Sequence, residues 1–167
     1  MPKKNNPGCK CCQNPFCCDG TPPNTITFEL DSVTGTGSNS SCADSSCANS
    51  YNNAGSGGVT LARAGTSCSW GLIQAVDTIC GNPAFGCDTV ARTWTFTIIN
   101  NGDGTWTGRM TIGTDNAPGD TSGREFVVFE YDFATTRPLC NDLSGLAFSL
   151  ITDDSCCDFS SATLVTA

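Results

Sequence analysis

Thirteen of the 167 residues are cysteine, and no other feature of the sequence constrains the fold as much. Eight of them lie after residue 24, each in a segment of turn or loop character between apolar stretches. A buried free cysteine more often lies on the inner face of a strand. We therefore predict four disulfides among Cys42, Cys47, Cys68, Cys80, Cys87, Cys140, Cys156 and Cys157. Their connectivity stays open, although the adjacent Cys156 and Cys157 should bond to different partners.

The other five cysteines lie in a proline-rich arm, residues 1–24, whose prolines exclude a helix or sheet interior. They are Cys9, Cys11, Cys12, Cys17 and Cys18. The C-x-x-C spacing, followed by the adjacent pair, allows a thiolate site for zinc or iron. Crosslinks to the body of the chain or to a neighbouring subunit are the interpretation that we favour. Because thirteen is odd, at least one thiol is free, metal-bound or intermolecular.

From residue 25 onward, apolar residues alternate with polar ones, which predicts half-buried β-strands. The strongest local signal is residues 91–113, where two alternating stretches flank Asn-Asn-Gly-Asp-Gly, a sequence suited to a hairpin turn. This β-hairpin should bring Trp94 or Phe96 near Trp106 or Met110 across the two strands.

Seven or eight such strands occupy about 140 residues, and no amphipathic helical stretch of ten residues is present. This pattern predicts an all-β fold, specifically an antiparallel β-sandwich of seven or eight short strands stapled by disulfides. We expect two parts: an irregular arm over residues 1–24 and the sandwich domain over residues 25–167.

Composition excludes several classes of function. The absence of histidine excludes Ser-His-Asp and Cys-His catalytic sites. All three lysines lie in the first ten residues, and the remaining residues carry five arginines against 16 acids, a net charge of −11. This acidity argues against nucleic acid as a partner, and no apolar stretch is long enough for a membrane span. We therefore expect a protein that is not an enzyme.

Acidic residues occur in patterns that faintly resemble two kinds of functional site. Asp153, Asp154 and Asp158 could serve glycoside hydrolysis, but their position near two cysteines favours a solvated turn. Asn101-x-Asp103 and the segment from Asp115 to Asp120 have oxygen ligands at alternate positions, as calcium requires. A hairpin turn and an ordinary loop explain these two better.

The first residues, Met1-Pro2-Lys3-Lys4, carry positive charge but are not followed by the apolar region of a secretion signal. We therefore expect synthesis in the cytoplasm without a signal peptide. Abundant cysteine nevertheless favours an oxidising environment. Three settings satisfy both expectations: the cysteines hold a metal, the protein leaves the cell without a signal as a virus particle does on lysis, or it follows an unconventional export route.

The arrangement of motifs along the chain resembles a known group of proteins. The pairs Cys11-Cys12 and Cys17-Cys18 precede Thr-Pro-Pro-Asn-Thr-Ile-Thr-Phe at residues 21–28, and Cys140, Leu146-x-Phe148, Cys156-Cys157 and Ala162-Thr163-Leu164 follow near the end. This layout resembles short cysteine-rich all-β proteins encoded by tailed bacteriophages and planctomycetes. The resemblance implies a virion structural protein and carries no catalytic residues.

We therefore expect a structural or interaction protein of a tailed phage virion, in its tail, baseplate or head surface. Its partners would be other virion proteins or copies of itself. Two alternatives stay open. One is an extracellular glycan-binding module that uses Tyr51 or the tryptophans Trp70, Trp94 and Trp106, although these tryptophans favour the core. The other is a small zinc or iron thiolate protein that uses the N-terminal cysteines.

Overall fold

In the computed structural model, the residues described are 17–34, 58–77, 89–115, 126–134, 136–154 and 158–167. These residues contain strands and turns but no helix, and therefore no helix that could cross a membrane. In chain order the strands are β1 (Thr25–Leu30), β2 (Val33–Thr34), β3 (Val59–Arg63), β4 (Ser69–Asp77), β5 (Thr89–Asn100), β6 (Trp106–Asp115), β7 (Phe126–Asp132), β8 (Leu146–Asp154), β9 (Asp158–Phe159) and β10 (Ser161–Thr166).

Eight of these strands form a closed antiparallel barrel, in the order β1-β10-β8-β7-β6-β5-β4-β3. Each barrel strand pairs with the next one along the chain, and β1 closes the barrel by pairing with β10, for example Phe28 with Leu164. The all-β prediction is confirmed, but the predicted sandwich is wrong. Alternation shows which residues point inward, and it is the same in both architectures. Only the pairing of the first strand with the last distinguishes a barrel.

The barrel interior is filled by aromatic side chains. Phe148 lies near its centre, with ring centroids 5.2 Å from Phe28, 5.8 Å from Phe96 and 5.6 Å from Tyr131. Trp70 packs against Phe96 at 5.4 Å. These tilted and edge-on arrangements are favourable for aromatic rings and leave the middle of the barrel packed.

The predicted β-hairpin is confirmed by β5 and β6. Phe96 lies directly opposite Met110, and Asn100 lies opposite Trp106. The turn between the strands contains Gly102 and Gly104, with φ angles of 84° and 94° that favour glycine. The hairpin therefore forms for the local reasons that the sequence indicates.

The two ends of the barrel are closed differently. At one end, which we call the disulfide end, β1, β4, β6 and β8 begin, and residues 17–24 lead into β1 there. At the opposite end, the far end, β2 and β9 form a separate two-stranded sheet. Phe159 of that sheet is 8% exposed and packs edge-on against Phe129 at 6.0 Å, so the small sheet covers part of the interior there.

Candidate functional site at the disulfide end

Two disulfides hold the segment of residues 17–24, which we call the anchor segment, against the barrel. Cys17 bonds to Cys68 and Cys18 bonds to Cys140. The Cα–Cα distances are 5.5 and 5.0 Å, within the normal range for disulfides. The adjacent cysteines thus bond to two different loops, the β3–β4 and β7–β8 connections. A bond between neighbouring residues would instead close a strained ring.

Backbone pairing reinforces the second of these bridges. The Asp19 N–H donates to the Pro138 carbonyl at 2.8 Å, and the Cys140 N–H donates to the Asp19 carbonyl at 2.9 Å. The two segments therefore run in parallel for a short distance beside the Cys18–Cys140 bond. This pairing satisfies backbone groups that burial of the cysteines removes from water.

Arg137 connects the anchor segment with the barrel wall. Its Nη1 atom lies 3.2 Å from Oδ1 of Asp19, and its guanidinium carbon lies 5.2 Å from the ring centroid of Trp106. The ion pair is largely exposed and therefore weak. The position over the indole ring adds a cation–π interaction.

The proline-rich part of the anchor segment is held through its carbonyl groups. Nη1 of Arg63 donates to the Pro22 carbonyl at 3.2 Å, and Nε1 of Trp70 donates to the Pro23 carbonyl at 2.9 Å. The Arg63 N–H donates to the Asn24 carbonyl at 2.8 Å. Proline lacks an N–H but keeps a carbonyl acceptor, which explains how a segment unfit for a sheet is still bonded to one.

A cavity of about 420 Å³ lies between the anchor segment, the loop around Cys140 and the last residue, Ala167. Three of its lining residues have polar side chains: Asp19, Thr21 and Asn141. The Asp19 carboxylate is already engaged by Arg137. The cavity thus has the volume of a small-molecule site without an activated nucleophile or a paired acid and base.

Four of the predicted site cysteines form the two disulfides of the described residues. Cys68 and Cys140 bond to the arm and not to other cysteines of the barrel domain, which is a different pairing from the one that we predicted within residues 25–167. The sulfurs of Cys17 and Cys18 are consumed by these bridges, so a thiolate metal site would have to use the other arm cysteines. Those others, Cys9, Cys11 and Cys12, lie outside the described residues, as do Cys42, Cys47, Cys80, Cys87, Cys156 and Cys157.

Of the residues predicted for glycan binding, the three tryptophans lie in the described part of the chain, and all three are buried. Trp70, Trp94 and Trp106 are at most 8% exposed, so they belong to the core and present no face to a sugar. Tyr51 lies outside the described residues. Among the described residues, no group of three or more cysteines or acids is placed to hold a metal ion.

Asp103 serves the hairpin turn. Its Oδ1 atom accepts hydrogen bonds from the Thr105 hydroxyl at 2.6 Å and from the Thr105 N–H at 2.9 Å. These bonds lower the pKa of Asp103 from its ordinary value of 3.8. Asp153 is exposed on β8, and the side chains of Asp154 and Asp158 lie outside the described part.

Arg92 is the residue that sequence analysis missed. It is 1% exposed and points into the barrel from β5, and it has an interaction partner. Nearby, Nε1 of Trp94 donates to Oε1 of Gln74 at 3.2 Å, so polar groups lie inside this part of the barrel. The signal was available, because Arg92 falls on the same alternating face as Trp94 and Phe96.

The described residues thus define a class of protein: an eight-stranded up-and-down β-barrel with an aromatic interior and a disulfide-bonded segment across one end. Comparison of the chain with family models, with curated proteins and with solved structures found no match. The resemblance to phage and planctomycete proteins therefore stays a prediction.

Proposed function

We propose that the protein is a non-enzymatic structural and interaction component of a tailed bacteriophage virion, in its tail, baseplate or head surface. Its partners are other virion proteins or copies of itself, and it works outside the cell after lysis. Nucleic acid and membranes are not partners in this proposal, because the charge after residue 10 is strongly negative and that region offers no cluster of lysines.

The observation that carries this proposal is the anchor segment locked across one end of a barrel whose centre is packed. Cys17, Cys18 and Cys140 are at most 3% exposed, so the Cys18–Cys140 bridge lies in the core. Cys68 is partly buried and packs against the core, so the Cys17–Cys68 bridge lies at its edge. Such bridges resist reduction and restrict unfolding, which suits a particle that must persist outside a cell. A packed interior leaves the outer surface and the ends of the barrel for function.

That outer surface offers apolar contact points as well as charge. Four large apolar side chains are conspicuously exposed among the described residues: Ile73, Phe126, Leu139 and Ile151. Leu139 is 48% exposed and lies between Pro138 and Cys140, where the backbone is held by pairing with Asp19. A rigidly held apolar side chain loses little conformational entropy when it docks, which favours its use as a contact.

The proposal is tested by mass spectrometry and antibody labelling of gradient-purified virions from a phage that encodes this chain. We expect the protein to remain with the particles after a high-salt wash, and to label a defined part of the virion in electron micrographs. Recovery of the chain only from the soluble lysate would contradict the proposal. A hydrolytic turnover by the purified chain would contradict its non-enzymatic part.

A contact variant sharpens this test. Leu139→Asp should reduce incorporation into particles, while the matched exposed substitution Thr136→Asp in the same loop should not. Both variants should melt at the wild-type temperature, because neither side chain is buried. Equal incorporation of the two variants would exclude Leu139 as a contact.

A further inference from the structure

The cavity at the disulfide end is lined by polar side chains whose hydrogen-bonding groups are largely unused. Asp19, Thr21 and Asn141 are exposed and all three line it. Within the described part of the chain, no hydrogen bond engages the Thr21 hydroxyl or the Asn141 amide. The Asp19 carboxylate uses only Oδ1, which accepts from Arg137. Free donors and acceptors from three side chains thus converge on one small space that is open to solvent.

Apolar groups complete the lining and are held in place. Pro23 presents its ring, and its carbonyl accepts a hydrogen bond from Nε1 of Trp70 at 2.9 Å. Cys140 forms another part of the wall and is fixed by its bridge to Cys18. Gly20 lines the cavity with backbone alone, and a Cβ there would lie 3.8 Å from the Cβ of Cys140. The cavity therefore exists before a ligand arrives, which lowers the entropy cost of binding.

The charge of the lining is balanced. Asp19 is the lining residue with a charged side chain, and Nη1 of Arg137 lies 3.2 Å from its Oδ1. A cationic ligand would have to compete with Arg137 for the carboxylate, and an anionic ligand would be repelled by it. A neutral ligand rich in hydroxyl groups meets neither obstacle, because hydroxyls both donate and accept. The free Oδ2 of Asp19 can accept from such a hydroxyl, and the Asn141 amide can accept from one and donate to its neighbour.

We propose that this cavity binds one pyranose ring of a saccharide. The sugar hydroxyls bond to Asp19, Thr21 and Asn141, and one C–H face of the ring packs on Pro23. The volume of about 420 Å³ lies near the lower end of the range of about 300–1,000 Å³ for small-molecule sites, which suits a sugar ring. The inference goes beyond the proposed structural function and does not depend on it.

The lining also predicts the strength of binding. None of its described residues is aromatic, so the sugar ring gains no stacking on an indole or phenyl face. We therefore expect dissociation constants in the millimolar range. Because the ligand is neutral, these constants should change little with ionic strength, whereas the binding of a charged ligand would weaken as salt is added.

The test is an NMR titration of the full, oxidised, isotope-labelled chain with the methyl glycosides of glucose, galactose, mannose and N-acetylglucosamine. We expect at least one glycoside to shift the amide signals of Gly20, Thr21 and Asn141 saturably and equally at low and high salt. Butylammonium and butyrate serve as charged probes and should leave these signals unchanged. Unshifted signals with every glycoside up to about 100 mM, well above the expected dissociation constant, would overturn the inference. Saturable shifts with butylammonium alone would overturn the ligand class.

Single variants test the position of the site. Asn141→Ala and Thr21→Ala should each weaken binding of the best glycoside about two- to tenfold, through loss of one or two hydrogen bonds. Asp142→Ala is the matched control, because Asp142 is the next exposed residue but does not line the cavity, so this variant should bind like the wild type. All three variants should melt at the wild-type temperature, since the three side chains are exposed. Equal affinities in wild type and all three variants would overturn the assignment of the site to this cavity.

Discussion

Gly108 lies so close to Phe148 that a Cβ atom at position 108 would be 3.0 Å from the ring. The same Cβ would be 3.1 Å from the ring of Phe133. Because Phe148 contacts the Phe28, Phe96 and Tyr131 rings, it cannot move away without disturbing them. The absence of a side chain at position 108 of β6 therefore leaves the space that the rings of Phe148 and Phe133 occupy.

Gly108→Ala should destabilise the barrel by about 1–3 kcal/mol, because the added methyl overpacks the interior. This corresponds to a lower melting temperature by roughly 2–12 °C for a chain of this size. Gly71→Ala is the matched control, since a Cβ there would make only an ordinary contact at 3.5 Å. Thermal melting that lowers both variants equally would show that overpacking at Phe148 is not the cause.

Gly58→Ala should destabilise the protein more than Gly65→Ala. Both glycines have positive φ angles, 77° and 60°, which cost an alanine about 1–2 kcal/mol. A Cβ at Gly58 would also lie 2.6 Å from the backbone oxygen of Phe28, whereas nothing lies within 4 Å of one at Gly65. Urea denaturation of the two variants measures the difference, because Gly65→Ala has only the backbone cost and Gly58→Ala has that cost and the clash with Phe28. Equal unfolding midpoints for the two variants would show that the clash costs nothing.

Removal of each bridge should cost stability that rises with the logarithm of the length of the loop that it closes. The sequence separations are 51 for Cys17–Cys68 and 122 for Cys18–Cys140. The chain-entropy relation gives losses of about 4 and about 5 kcal/mol for C17A/C68A and C18A/C140A. Full reduction of the wild type should lower its melting temperature by more than about ten degrees. An unchanged calorimetric melt after reduction would contradict this account.

Asp103 should contribute to stability above its ordinary pKa and lose that contribution on acidification. The Thr105 hydroxyl and N–H hydrogen bonds lower the pKa of Asp103 from 3.8 in the folded state, so protonation weakens the folded state as pH falls through the lowered value. Asp103→Asn keeps an oxygen acceptor but does not titrate. The difference between wild type and this variant in urea midpoint should therefore shrink below pH 3.8. A difference that is constant with pH would contradict the prediction.

Arg137→Ala should destabilise the disulfide end by about 1 kcal/mol, through loss of the cation–π contact with Trp106 and of the exposed ion pair. Arg109→Ala is the comparison, because it removes another exposed ion pair, with Glu130, but no contact with an aromatic ring is described for Arg109. We expect Trp fluorescence to change in the first variant only. Identical effects in the two variants would show that the Trp106 contact contributes nothing.

Several features of the fold were predictable because they depend on neighbouring residues. Alternation identifies the inward positions of β5, and the Asn-Gly and Asp-Gly pairs identify the hairpin turn. The inward Arg92 lies on the same face and was readable from the same alternation. The bonding of adjacent cysteines to different partners was also predictable, and Cys17 and Cys18 follow the rule that was inferred for another pair.

Other features depend on residues far apart in the chain. The sandwich was predicted because a pattern of inward and outward residues does not say whether the first strand meets the last. The candidate site at the disulfide end was missed because Cys18 and Cys140 are separated by 122 residues, and a spacing of that length selects no partner.

By itself, then, the sequence determined the strands, their inward faces, the hairpin and the odd number of thiols, because each follows from local geometry or from counting. The tertiary structure alone decided that β1 closes on β10 and that the arm is bonded to two loops of the barrel. The physical reason is that long-range pairing is selected by the packing of the whole interior around Phe148, and no short stretch of the chain contains that information.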